Sequence, residues 1–295
     1  MVLLPKKLSR SFKFHSKAGK KDSEILLASL DDFRSKISNF LKELTLLKPG
    51  KAQNCFELIN FTHRAFMELE NEIDYPMSQW GGNVTNMYLD YTLIFLEKLN
   101  LITSSLTHIN QTKLPISNAL HLIMRNMMTS APTYLKKLQG NINPKVVGSS
   151  SSTGTEKKPS AGSVGKEGVI LEAFMVLRTI GFYAIGSVLS GFWIEDANPC
   201  PEIGKAQGWF DDLLKRSFLE SENRGPMEEV KEVNRVVERL SEGMYKGKCD
   251  EAVCWELKGK LEVLGNCIQG IEKQVNNLFS EVLGSRRKLL DSISS

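Results

Sequence analysis

Acid is missing from the first 21 residues, histidine occurs four times in 295, and no run of alternating apolar and polar residues is long enough for a strand. Each shortage excludes something. Without strand patterning the chain reads as all-α. His15, His63, His108 and His121 lie apart and form no helix-borne zinc pair. Cys249, Cys254 and Cys267 do not supply two ligand pairs at zinc spacing either. No metal and no cofactor is expected. With Cys55 and Cys200 the cysteines number five, odd and scattered, which suits a reducing compartment better than a disulfide framework. "MVLLP" runs straight into lysines instead of the apolar core of a secretory signal, so the sequons at Asn60, Asn83 and Asn110 read as fortuitous.

Catalytic patterning is equally scarce. "AGSVGKEG" (161–168) is the nearest approach to a phosphate loop. Ser160 stands where its leading glycine belongs, and Glu167 follows Lys166 where a hydroxyl is needed. The carboxylates fall on solvated helix faces, and no nucleophile has a base at a recognisable spacing. A non-enzymatic protein without catalytic residues is expected. No nucleic-acid reading module is present, so nucleic acid is not an expected partner.

What the sequence does have is apolar residues every three or four positions. Leu26, Leu30, Phe33, Ile37, Phe40, Leu44 and Leu47 mark a first helix, stopped by Pro49-Gly50. Ile59, Phe66, Leu69 and Ile73 mark a second that ends before Pro76. A third is expected from about Val84 to Gln111, a shorter one at Ser117–Met128 and another at Thr133–Leu138. Residues 140–167, rich in glycine and serine and lacking aromatics, read as a flexible linker. Beyond it Pro226, Glu228 and Glu229 suit a helix start, and Val230, Val233, Val237, Leu240 and Met244 form its seam. Asp250 caps a last helix whose seam runs from Leu257 through Leu264, Ile271 and Leu278 to Val282, with Arg286, Arg287 and Lys288 near its end.

The expected fold is therefore an all-α multi-helix bundle of about seven or eight helices, with long heptad-patterned members and a central apolar helix. The expected organisation is a basic tail (1–21), an N-terminal helical half (22–139), the linker (140–167) and a C-terminal half (168–290) packing on the first. A coiled-coil dimer through the last helix is the alternative, but several seams in one chain can satisfy one another. The oligomeric state stays open.

The central helix raises a membrane question. "TIGFYAIGSVLSGFW" (179–193) carries no charge. Extended to Ala173–Ile194 it would rise about 33 Å, enough for a hydrocarbon core of about 30 Å, though it then includes Arg178. Gly181, Gly186 and Gly191 let neighbouring helices approach closely, and Trp193 closes the stretch. A buried core helix is preferred, because a span would divide the amphipathic seams on its two sides; an integral membrane protein is the alternative.

The tail, "MVLLPKKLSRSFKFHSKAGKK", combines seven basic residues with Leu3, Leu4, Leu8, Phe12 and Phe14. That composition suits attraction to an anionic membrane surface from the cytoplasm. The acid-poor segment also fits a plastid transit peptide as the alternative. Val2 stands where N-myristoylation needs glycine.

One region is more distinctive. Trp80, then Met87-Tyr88-Leu89-Asp90, Leu96-Glu97-Lys98-Leu99-Asn100, Leu106, Asn110-Gln111 and Ala119-Leu120-His121 follow one another at set spacings. This pattern resembles the plant BYPASS family, whose relatives include exocyst-associated ROH-type proteins. "EILLASLDDFRSKISNFLKELT" (24–45) resembles the family's first helix, while Glu97-Lys98-Leu99 departs from its usual residues. The resemblance implies a non-enzymatic regulator of root and shoot development that restrains a root-derived mobile signal. It also implies protein partners, of exocyst type in the alternative of a membrane-anchored trafficking adaptor. The residues themselves read more plainly, Trp80 as a buried anchor and Asp90 as a helix-start charge.

Overall fold

A helix apolar over most of its surface has little to turn to water, and the fold buries most of it. The computed structural model describes residues 15–46 (side chains 21–44), 52–125, 134–138, 165–192, 227–246 and 250–294. Six α-helices lie among the described residues: α1 (His15–Leu46), α2 (Ala52–Glu72), α3 (Gly82–Met124), α4 (Lys166–Ser190), α5 (Glu228–Tyr245) and α6 (Glu251–Ser294). A 3-10 turn, Met77–Gln79, joins α2 to α3. No strand occurs among the described residues, as the absence of alternation implies.

Helix α4 packs against α1, α2 and α3, with 16 of its 25 residues buried. It is the one described helix long and apolar enough to cross a membrane, at a mean hydropathy of 1.7. Its cover is specific. Arg34 of α1 ion-pairs with Glu172, and Ser187 hydrogen-bonds the thiol of Cys55 on α2. Ala173, Gly181 and Gly186 are buried, Arg178 is half-buried, Gly191 ends the helix, and Trp193 lies outside the described residues. At Gly181 a Cβ would lie 2.5 Å from the Tyr91 hydroxyl, so the missing side chain is what lets α3 and α4 meet.

The other helices pair antiparallel. Ser29, Lys36 and Phe40 of α1 meet Glu72, Glu68 and Phe61 of α2, the two rings stacked at 4.1 Å. Leu41 is fully buried where the sequence seam names Phe40, which is half-buried. Helices α3 and α6, each of more than 40 residues, run side by side. Asn110 reaches Glu272 at one level, and Arg286 reaches the Leu89 carbonyl and the Thr92 hydroxyl at another. The α6 seam from Leu257 to Val282 is buried throughout, covered within the chain by α3 and α5. Helices from both sides of residues 140–164 thus contribute to one hydrophobic cluster.

Several boundaries differ from the sequence expectation. Positions 84–111 and 117–124 belong to one helix that carries Pro115 in its interior. That proline removes a backbone hydrogen bond at a cost of about 3 kcal/mol, against which Ile109, Ile116, Ala119, Leu120 and Ile123 are buried on the same helix. Residues 135–138 are not helical, because the Asn234 carboxamide bonds both the N–H and the carbonyl of Leu138 (2.7 and 3.0 Å). Helix α4 starts at Lys166, inside the expected linker, where acidic Glu167 suits a helix N-terminus. Helix α1 reaches back to His15, into the expected tail, and α6 extends to Ser294. Asp250 caps α6 as expected, its carboxylate accepting the Ala252 N–H at 2.9 Å. Residues 1–14, 140–164, Pro226, Leu47, Cys200 and Cys249 lie outside the described residues.

Replacing Gly181 with alanine tests the packing against propensity. Alanine favours an isolated helix by about 1 kcal/mol. Tyr91, held among Phe95, Phe174 and Phe182, has no room to retreat. Gly181→Ala is expected to lower the thermal midpoint followed by circular dichroism, through overpacking of about 1–3 kcal/mol; a raised midpoint would show that the contact is loose.

Candidate functional site

Two of the residues that carry the family resemblance, Trp80 and Tyr88, meet where α2, the 3-10 turn, α3 and α4 come together. Pro76 fixes the entry to the turn, and the turn delivers Trp80 to the start of α3. The indole ring stands edge-on to Phe66 of α2 (5.9 Å) and to Tyr88 of α3 (5.4 Å). Tyr88 continues to Phe174 (5.8 Å), which packs against Tyr91 (5.7 Å); Tyr91 in turn meets Phe182 (5.3 Å). Edge-to-face pairs of this kind contribute about 0.5–1.5 kcal/mol each beyond the area they bury.

Polar groups border this cluster. Burial pushes the Tyr88 hydroxyl up to about 12 despite its hydrogen bond with Ser285 of α6, and raises Tyr91 further, with Arg178 opposing. Glu70, on α2, is 4% exposed. Burial pushes its carboxyl up to about 7, partly offset by the hydrogen bond it accepts from the Met77 N–H. Its Oε2 has no partner, and neither has the Trp80 Nε1. Burial likewise holds the Cys55 thiol at about 12, far from the thiolate chemistry of a nucleophile. His63 is lowered by burial, with Glu281 opposing.

The remaining motif residues do not join the cluster. Leu89 is half-buried and presents its carbonyl to Arg286. Asp90 is exposed in the third turn of α3 and is therefore not a helix-start charge; Asn100 is also exposed, and Asn110 donates to Glu272 at 3.4 Å. The spacing of Trp80 and Tyr88 thus records ring contact, whereas Asp90 and Asn100 face solvent. Sequence reading missed Glu70, which looks like any helix-surface acid, and Arg286, which it placed only as a cation at a helix end. Periodicity held the signal for Glu70: it follows Leu69 and lies four residues after Phe66, on the buried side.

Among the described residues no three metal-ligating side chains converge. A shallow depression between α5 and α6 is lined by Glu228, Glu229, Glu232, Lys260 and Val263. There the Lys260 ammonium and the Arg235 guanidinium hold the Glu232 carboxyl below its ordinary range.

The architecture is that of an all-α bundle wrapped around an apolar helix, with an aromatic junction at its motif. Over 92% of its length the chain is similar to a protein of Arabidopsis thaliana named Protein BPS1, chloroplastic, at 24% identity and across 86% of that relative. The resemblance to the BYPASS family read from Trp80 to His121 is thereby supported across nearly the whole chain. No family model matches the chain, and no solved structure matches it.

If the motif is a packing device, its members differ sharply in cost. Trp80→Ala is expected to destabilise by about 3–5 kcal/mol, whereas exposed Asp90→Asn stays within about 0.5 kcal/mol. Urea titrations of both variants check this, and equal losses would assign Asp90 a structural role that its exposure does not.

Proposed function

We propose that this chain is a non-enzymatic regulator of plant root and shoot development that acts through protein contacts and restrains a root-derived mobile signal. The similarity to Protein BPS1 carries the reading, because it covers 92% of this chain and 86% of the relative and so extends beyond any single motif. Buried polar groups agree with it: Tyr88 and Tyr91 at the aromatic junction, and Cys55 beside Ser187, are held in their neutral forms. Reciprocal grafting tests the role. Roots lacking the protein, joined to wild-type shoots, are expected to arrest shoot growth, while mutant shoots on wild-type roots grow. Normal growth in both grafts would overturn the reading.

The partners proposed are proteins, of exocyst type in the adaptor alternative, and an anionic membrane surface reached by the basic tail. Support for the second comes from α1. Its pairing of Ser29 with Glu72 leaves the turns before Ser29 beyond the end of α2, and none of residues 21–28 is buried. Ile25 and Leu27 are 56% and 40% exposed there, next to the tail in sequence. The full chain is expected to bind phosphatidylglycerol-containing vesicles and to release them as salt rises. Replacing Lys6, Lys7, Arg10, Lys13 and Lys17 with glutamine should weaken that binding by roughly a hundredfold or more. Unchanged sedimentation with the vesicles would sink the electrostatic reading.

A cytoplasmic, membrane-associated location follows from that partner. The name of the Arabidopsis relative supports the plastid alternative, in which the same acid-poor segment directs import. A mature N-terminus near residue 20, found by mass spectrometry of the protein from plants, would select the plastid.

A further inference from the structure

Glu70 is a carboxylic acid enclosed in an aromatic junction, and no ion pair accounts for it. Its side chain accepts the Met77 N–H at the first residue of the 3-10 turn, whose carbonyl in turn accepts the Trp80 N–H (3.2 Å). The Glu70 carbonyl separately accepts the Tyr75 N–H (3.1 Å). Residues 75 and 77 are therefore both bonded to Glu70, the first to its backbone and the second to its side chain. The outer side of the segment is open to water, since Asp74, Pro76, Ser78 and Gln79 are exposed. An enclosed carboxylate can regain water there by a local opening, without unfolding α2 or α3.

We propose that Glu70 is a proton-controlled latch on residues 75–80: protonated, it keeps the turn closed over the aromatic junction, and ionised, it favours an opening that uncovers Trp80.

The surrounding charges leave this role to Glu70. Of the elements packed about it, α3 supplies Tyr88, which stays neutral. Helix α6 supplies Ser285, hydrogen-bonded to Tyr88, and Arg286, committed to Leu89 and Thr92. Glu281 of the same helix acts on His63, two turns earlier on α2. The start of α4 brings Lys166 to the Asp74 carbonyl (2.8 Å) and Glu167 against Gly81 and Tyr75. From α1, Ser29 and Lys36 face Glu72 and Glu68. Residues 77–79 carry no titratable side chain.

The sign follows from linkage. A carboxyl that titrates at about 7 in the closed turn and near its ordinary 4.5 when hydrated favours the closed form at low pH. That advantage falls away between pH 4.5 and 7 and is constant above. Opening should become roughly thirtyfold more frequent between pH 5.5 and 8.5.

Hydrogen exchange of the 75–80 amides in the full-length protein, corrected for the intrinsic pH dependence, reads this directly. The wild type should show the rise with a midpoint near 7. Glu70→Gln, which keeps an acceptor for Met77 but carries no charge, should hold the opening constant within about threefold. A flat wild-type profile, or a rise preserved in Glu70→Gln, overturns the proposal. His63→Gln supplies a second arm: the rise should survive it, and its loss there would assign the switch to His63. Carbon-13 NMR of the Glu70 carboxyl provides a readout that needs no variant, and a midpoint below 5 would also overturn the latch.

Discussion

The constraint on which the rest of this structure depends is the enclosure of α4. A helix with an apolar circumference gains about 25 cal/mol for each Å² of apolar surface removed from water, but only if neighbours approach from every side. Helices α1, α2 and α3 do so, each through a different local device: an ion pair at Glu172, a thiol–hydroxyl contact at Ser187, and the missing side chain at Gly181. Once these three are committed to α4, the outer face of α3 is left for α6, and the remaining side of α6 is left for α5.

Much of that was legible in the sequence, and the reasons are specific. The α6 seam is strictly periodic, so Leu257 and its partners could be assigned to a buried face before any neighbour was known. The uncharged stretch from Thr179 identified the central helix by composition alone. Boundaries were harder. Pro115 reads as a breaker by local rule, yet the helix passes through it, because apolar residues before and after the proline face one core. Leu138 reads as helical by spacing, but its backbone is bonded by a carboxamide 96 residues further on and is not helical. In both cases the deciding partner is distant in the chain, and local propensity carries no record of it.

The motif illustrates the same division. Trp80 and Tyr88 were visible as a spacing, and the spacing proved to be that of two rings in contact. Glu70 was missed, because acids punctuate every helix here, although its place four residues after Phe66 put it on the buried side. The carboxyl is also the place where local and global preferences conflict. Its helix requires a side chain on the buried side at that position, and an apolar residue would satisfy the core better. Retaining an acid introduces a desolvation penalty that is removed by binding a proton near neutral pH.

That conflict bears on how a protein without a converging catalytic constellation among its described residues can respond to its surroundings. Exposed charges such as Asp31 with Arg34, Asp32 with Lys36 and Arg239 with Glu256 are paired at the surface, where each pair contributes little. The tyrosine and cysteine groups of the core titrate far above that range. His63 is depressed below its ordinary value and opposed by Glu281, so its charge changes on the acid side. Among the described buried groups it is the Glu70 carboxyl that burial brings to about 7, and it lies beneath the short turn that joins α2 to α3. The proposed latch acts at this joint, where Glu70 bonds the turn and Trp80 closes over Phe66 and Tyr88.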